Sequence, residues 1–351
     1  MKIHKLLIFI FTVTFFVGCG DDSRNPNDVF SISIQDVKKS FKTSDVLQVI
    51  IMNKKNKTIE SITYSIEAEN VVTGNENVEK SIPLSGQKMG KRTINALIKA
   101  NGKEYAISKD FIITAIQTPK LYGYTILETY PHDIDAYTQG LEFENDTLYE
   151  STGLRKQSTL RKTNYLTGEV LQSEKLADQY FGEGLTIMNG KIYQLTWQAN
   201  TGFIYNLNTL ETTGTFVYGA SKEGWGLCNN GTTIYKSDGT EKIWALNPNT
   251  LAEEGHIEIY TNTSKIPKVN ELEWVDGKIY ANIYQKDAVA IVDPDTGAVE
   301  GVIDLKGLKE RVSQHSKLDV LNGIAYNGEA NILYVTGKNW DKMFKIEIVE
   351  K

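Results

Sequence analysis

Two series of residues recur at matching points along the second two-thirds of the chain, and they carry the chemistry that the sequence offers. The first reads Gln139, Glu183, Trp225, Asn270 and Asn322; the second reads Gly153, Trp197, Gly239, Tyr284 and Lys338. A structural series would repeat one small or apolar type, whereas these ten positions hold one carboxylate, one ammonium, three amides, two indoles and a phenol. Apolar walls with a few orienting donors and acceptors are what a small-ligand pocket requires. Glu183 is the single carboxylate of either series, and Phe181, Trp197 and Trp225 are placed to surround it. Desolvation there raises a carboxyl's pKa and suits it to carry a proton near neutrality. The plainer alternative is a glutamate that bonds backbone amides in a channel.

Other chemistries find little support. His132, His256 and His315 are the histidines beyond the leader, and no pair has metal-ligand spacing such as His-Glu-x-x-His, so no metal is expected. Gly219-Ala220-Ser221-Lys222-Glu223 lacks the second glycine of a nucleophile elbow, and no phosphate-cradling loop is present. Cys228 falls inside a strand and reads as a buried free thiol.

The elements that position both series follow from a repeat. The members of the first series are spaced by 44, 42, 45 and 52 residues. Each is followed by a turn (Asn145-Asp146, Asn189-Gly190, Asn230-Gly231, Asp276-Gly277, Asn327-Gly328) and then a tyrosine (Tyr149, Tyr193, Tyr235, Tyr280, Tyr334). A threonine closes a further turn in four units, at Thr167, Thr209, Thr250 and Thr296. Four-stranded units at this period are propeller blades, and five of them fill the chain from 122 onward. The last unit stops after its third strand, so residues 122–129 are expected to supply the fourth and close the ring. In a propeller the first strand of each blade lines the channel, which puts both series on one rim.

Before the repeat, alternating apolar runs at 29–34, 46–52, 62–66, 94–98, 105–107 and 111–113 suggest a small immunoglobulin-like β-sandwich without a cysteine pair, read as a spacer or docking module. The expected fold is therefore all-β, a five-bladed β-propeller at 119–351 preceded by a sandwich at 28–118. Lys2 and Lys5 flank an apolar run at 6–17 that ends in Val17-Gly18-Cys19, the pattern of a bacterial lipoprotein export signal. The run is too short to span a bilayer; an uncleaved anchor is the alternative. Removal of 1–18 would leave Cys19 lipidated on a tether of 19–27, giving a lipid-anchored protein of the cell envelope. Beyond residue 18 there are 36 basic and 44 acidic side chains, which argues against nucleic acid as a partner. The expected assembly is a monomer.

Several stretches together resemble the plant and bacterial type of glutaminyl-peptide cyclotransferase, a five-bladed propeller distinct from the animal zinc enzyme. They are Pro131-His132-Asp133 with Tyr137-Thr138-Gln139-Gly140-Leu141, Phe181-Gly182-Glu183-Gly184-Leu185-Thr186, Gly224-Trp225-Gly226-Leu227, Asn270-Glu271-Leu272-Glu273-Trp274 with Ile279-Tyr280-Ala281-Asn282-Ile283, Leu321-Asn322-Gly323-Ile324-Ala325, and Val335-Thr336-Gly337-Lys338 with Trp340. The resemblance implies conversion of N-terminal glutamine to pyroglutamate with release of ammonia, an intramolecular acyl transfer without metal or cofactor. It implies Glu183 as the proton-transfer residue, with Gln139, Trp197, Trp225, Asn270, Asn282 and Lys338 shaping the pocket. Lys338 is further expected as a catalytic partner, and Tyr137, Phe181, Glu271 and Asn322 are expected to bind substrate with Gln139, Trp197, Trp225, Asn270 and Asn282. Lys338 or the amides of Asn270 and Asn282 would stabilise the oxyanion. Tyr137 and Tyr284 stand where this family commonly has phenylalanine and tryptophan, and Asp341 where it commonly has proline. The competing class is a non-catalytic ligand-binding or scaffold propeller.

Overall fold

The computed structural model describes residues 25–35, 38–67, 69–74 and 77–351, so the leader and Cys19 lie outside the described residues. Eight strands come first: β1 (Phe30–Ile34), β2 (Phe41–Lys42), β3 (Val46–Asn53), β4 (Ile59–Ile66), β5 (Glu69–Gly74), β6 (Lys80–Pro83), β7 (Gly90–Ala100) and β8 (Lys103–Thr114). They form sheets ordered β1-β3-β6 and β2-β8-β7-β4-β5. Alternation sets their faces, with Leu47, Val49 and Ile51 buried along β3 and Ile62, Tyr64 and Ile66 along β4. The runs at 105–107 and 111–113 belong to one strand, β8, and the expected strands did not include β2, β5 and β6. Two compact units divide the chain. One holds Val49–Lys80 and Ile94–Lys109 with β1, and the other holds Asp36–Gln48, Ser81–Thr93 and Asp110–Lys351.

The second unit contains the five blades. After β9 (Lys120–Pro131), blade 1 is β10 (Thr138–Glu144), β11 (Thr147–Thr152), β12 (Thr159–Asn164) and β13 (Glu169–Lys175). Blade 2 is β14 (Gly182–Met188), β15 (Lys191–Thr196), β16 (Thr201–Asn206) and β17 (Thr212–Val217); blade 3 is β18 (Leu227–Asn229), β19 (Ile234–Ser237), β20 (Lys242–Leu246) and β21 (Glu253–Glu258). Blade 4 is β22 (Val269–Val275), β23 (Lys278–Ile283), β24 (Ala288–Val292) and β25 (Val299–Asp304); blade 5 is β26 (Leu321–Ala325), β27 (Ile332–Gly337) and β28 (Lys342–Glu350), completed by β9. The closure runs antiparallel from Lys342↔Pro131 to Glu350↔Tyr122. The start of β9 also pairs in parallel with β25, at Gly301↔Lys120 to Ile303↔Tyr122, so one strand ties blade 4 to blade 5. No helix among the described residues is long and apolar enough to cross a membrane.

Each landmark of the repeat has a physical task. The two-residue loops Asn145-Asp146, Asn189-Gly190 and Asp276-Gly277 have positive φ at both residues, the tight hairpin geometry that asparagine, aspartate and glycine tolerate. At the outer turns an Asn or Asp side chain accepts the threonine's backbone N–H, as Asn164 does from Thr167, and the threonine hydroxyl caps the chain two residues on. The recurrent tyrosines sit in or against apolar clusters, each built from two adjacent blades. One such cluster fills each of the five junctions, and Cys228 is buried in that of blades 3 and 4.

Toward the channel the blades converge until backbone meets backbone. A Cβ on Gly226 would stand 2.2 Å from the Asn270 carbonyl oxygen and 2.7 Å from the Glu271 Cα, atoms of the next blade that cannot swing aside. Gly226→Ala is therefore expected to cost about 3 kcal/mol of stability. Gly255, where an added Cβ would meet nothing within 4 Å, is the control, expected to change by about 0.5 kcal/mol or less on Gly255→Ala. Thermal melts that coincide for the two variants would refute the close-packing account.

Candidate active site

Bulges aim the first series of residues into the channel. The register of the first hairpin slips between Thr138 and Gly140 in blade 1, Gly182 and Leu185 in blade 2, Val269 and Leu272 in blade 4, and Leu321 and Ile324 in blade 5. A bulge bends its strand and re-aims the side chain it carries. Gln139, Glu183, Asn270 and Asn322 all sit in such slips. In blade 3 the Trp225 carbonyl accepts instead from Gly184 N (2.7 Å), which ties this residue to blade 2.

One cavity of about 220 Å³ gathers both series, lined by Tyr137, Gln139, Phe181, Glu183, Trp197, Trp225, Asn270, Tyr284 and Lys338. At about 30 Å³ per water this is room for one amino-acid residue rather than a drug-sized ligand. Its walls are aromatic: Phe181 meets Tyr137 edge-on at 6.1 Å and Trp197 at 5.7 Å, and Trp225 meets Tyr284 at 5.6 Å. The glycines of the second series make room for those walls. A Cβ on Gly153 would lie 2.5 Å from the Phe181 ring, and one on Gly239 2.5 Å from the Trp225 indole.

The polar groups divide by what already holds them. Glu183 is 5% exposed, and no described side chain or amide donates a hydrogen bond to its carboxylate. Burial pushes its pKa well above the usual carboxylate range, the Lys338 charge pulls it back, and Glu223 adds to the rise. Lys338 lies with its Nζ 4.8 Å from the Tyr137 ring centroid and 5.3 Å from that of Tyr284, a cation between two π faces. Burial lowers its pKa, against the charges of Glu183 and Asp319. Tyr137 Oη donates to Asp319 (2.9 Å), which fixes one of those faces.

A directional amide chain runs beneath the cavity. Asn270 Nδ2 donates to Asn322 Oδ1 (2.8 Å), and Asn322 Nδ2 donates to the Thr138 carbonyl (3.0 Å) and to Gln139 Oε1 (3.3 Å). The chain leaves two groups for a ligand: the Gln139 Nε2 donor and the Asn270 Oδ1 acceptor, which is buried without a partner. Three residues expected to touch substrate do not line the cavity. Asn322 is the link just described. Asn282 Oδ1 accepts from Gly323 N (3.1 Å), and Glu271 accepts from Ile324 N (3.1 Å), so both brace the backbone of blade 5. The role weighed for Glu183 as a backbone-bonding glutamate thus belongs to Glu271.

Tyr284 lines the cavity, where its place in the second series put it; Asp319 and Glu223 support the cavity from behind, fall outside both series and were not among the expected site residues. Among the described residues, no three His, Cys, Asp or Glu side chains are grouped to hold a metal ion. The histidines are separately engaged: His132 with the Trp340 carbonyl and Glu150, His256 against Trp244, and His315 with the Asn339 carbonyl.

Known proteins are similar to this chain in sequence and fold. The family model described as glutamine cyclotransferase matches residues 96–348. Glutaminyl-peptide cyclotransferase of Arabidopsis thaliana is 40% identical over 227 residues, 64% of this chain and 70% of that protein. The crystal structure of Myxococcus xanthus glutaminyl cyclase aligns with a TM-score of 0.62 at 33% identity, covering 66% of this chain and 99% of that one. The family model spans well over half of the residues, and the chain belongs to the glutamine cyclotransferase family.

Proposed function

We propose that this chain converts the N-terminal glutamine of peptides or proteins to pyroglutamate with release of ammonia, using Glu183 as proton shuttle and no metal. The observation that carries the mechanism is a buried carboxylate without hydrogen-bond donors facing a one-residue cavity. The α-amine, with an ordinary pKa of about 7.7–8.0, is about a tenth neutral at pH 7, so making the nucleophile costs only about 1 kcal/mol. Nucleophile and amide belong to one residue, and the aromatic walls supply the remaining task of folding the side chain back on the amine.

The neutral amine attacks the side-chain amide carbon, forming the ring C–N bond and placing a negative charge on the oxygen. Glu183 takes one proton from the attacking nitrogen and gives it to the amide nitrogen. That nitrogen departs with its bonding pair as ammonia while the carbonyl re-forms, and Glu183 ends as it began. Its raised proton affinity suits exchange with an amine. Lys338 and the free Gln139 Nε2 are the donors fitted to the oxyanion. Asn270 presents an acceptor, so it suits the α-amine or the departing NH₂ group better than the oxyanion role expected from sequence. Asn282, outside the cavity lining, is likewise not an oxyanion donor in this scheme.

Glu183→Gln keeps size and removes proton exchange. Steady-state kinetics on a Gln-initiated dipeptide should show kcat reduced by roughly 10²- to 10⁴-fold with KM little changed. Retention of more than about a third of kcat, far outside that range, would move the role to another carboxylate. Metal independence is supported by the separate engagement of the three histidines. Chelator-treated, metal-analysed enzyme should keep its rate, and loss on chelation with recovery on adding zinc would contradict this. Export as a lipoprotein is supported by the Lys-flanked apolar run before Cys19. Mass spectrometry of the protein from its source should find acylated Cys19 as first residue, and an intact Met1 would exclude it.

A further inference from the structure

Glu223 does not line the cavity, yet it touches two of its walls. Its Oε2 accepts from the indole Nε1 of Trp197 (2.8 Å) and of Trp225 (2.9 Å), and its Oε1 accepts from Gln198 Nε2 (3.2 Å). Trp197 follows β15 in blade 2 and Trp225 precedes β18 in blade 3, so one carboxylate joins indoles from two blades. The segment that carries it is itself anchored. The Glu223 carbonyl accepts from Lys236 Nζ (2.8 Å), an ammonium that is fully buried over the Tyr218 ring at 4.2 Å. Lys236 also donates to Ser221 Oγ, whose hydroxyl donates to Glu253, and Gly224 N donates to the Trp197 carbonyl (3.2 Å).

We propose that Glu223 is a positioning residue for the cyclisation, a single carboxylate that fixes both indoles against which the substrate glutamine folds back onto its own amine. This rests on the reading of Glu183 as the proton shuttle. With both N–H groups held outside the cavity, the indoles present it with ring surface, which orients a flexible side chain without competing for its amide. A second effect follows from charge. The groups that act on Glu183 are Lys338, which favours its ionised form, and Glu223, which opposes it. Tyr137 and Tyr218 also feel the Glu183 charge, and Asp319 acts on Lys338 and Tyr137. Glu223 thus helps to keep Glu183 reluctant to lose its proton.

Two variants separate position from charge. Glu223→Gln retains one oxygen with two lone pairs for the two indoles and loses the charge, whereas Glu223→Ala loses both. On a Gln-initiated dipeptide, with folding checked by melts, Glu223→Ala should lower kcat/KM by roughly 10²-fold, the scale of a misplaced reactant. Glu223→Gln should recover most of that rate at its optimum, with the acid limb of kcat/KM moved to lower pH. Equal impairment of both variants, or losses that track the folded fraction with the limb unmoved, would overturn the proposal. If Glu223→Ala does not fold, the direction of the limb in Glu223→Gln decides alone. The substrate amine imposes an acid limb of its own at about pH 7.7–8.0 in every variant, so the limb that counts is the additional one. An additional limb that persists in the residual activity of Glu183→Gln would overturn the Glu183 reading and this inference with it. An additional limb that disappears there but does not move in Glu223→Gln overturns this inference only.

Discussion

The close approach of backbones around the channel is the constraint from which the site follows. Gly226 lies so near the Asn270 carbonyl that no side chain fits between the blades. The register slips in four first strands occur at this depth, where Gly140, Gly184 and Gly226 bring neighbouring backbones together. The slips turn Gln139, Glu183, Asn270 and Asn322 toward the axis. Packing that closes the ring therefore also aims the polar groups, and the five apolar junctions hold the aim.

Two buried glutamates show how the fold separates support from chemistry. Burial pushes both Glu183 and Glu271 well above the usual carboxylate range. Glu271 answers burial with hydrogen bonds from backbone amides, which occupy it. Glu183 has no such donors among the described residues and faces the cavity, so its desolvation is offset only in part, by the Lys338 charge. Such a group is destabilising to the fold and available to a substrate that carries an exchangeable proton. Lys338, held between two rings without a described hydrogen-bond partner for its ammonium, shares that condition.

Much of this was legible in the sequence because a repeat reports geometry. Turn dipeptides at one spacing mark hairpins, and tyrosines at one offset mark junctions. Any position that breaks type within such a register points to a site, and Glu183, Trp197, Trp225 and Lys338 stood out in this way. Glu223 and Asp319 were not legible, since they act from inter-strand segments where the register says nothing about direction. Asn282 and Glu271 matched a motif but face backbone, and Asn322 is taken up by Asn270, Gln139 and the Thr138 carbonyl, because spacing fixes the height of a residue and not the partner that claims its polar atoms. Strand β2, two residues long, leaves no apolar periodicity to read.

The central claim is that Glu183 is a buried carboxyl that keeps its proton well above the pH at which an ordinary glutamate, near 4.3, releases it. Infrared difference spectra of wild type minus Glu183→Gln, recorded across a pH titration without substrate, follow its carboxylic C=O band directly. The band should persist well above pH 5 and fade as pH rises further. A Glu183 band that is already lost by about pH 5, as for a solvated glutamate, would contradict the account.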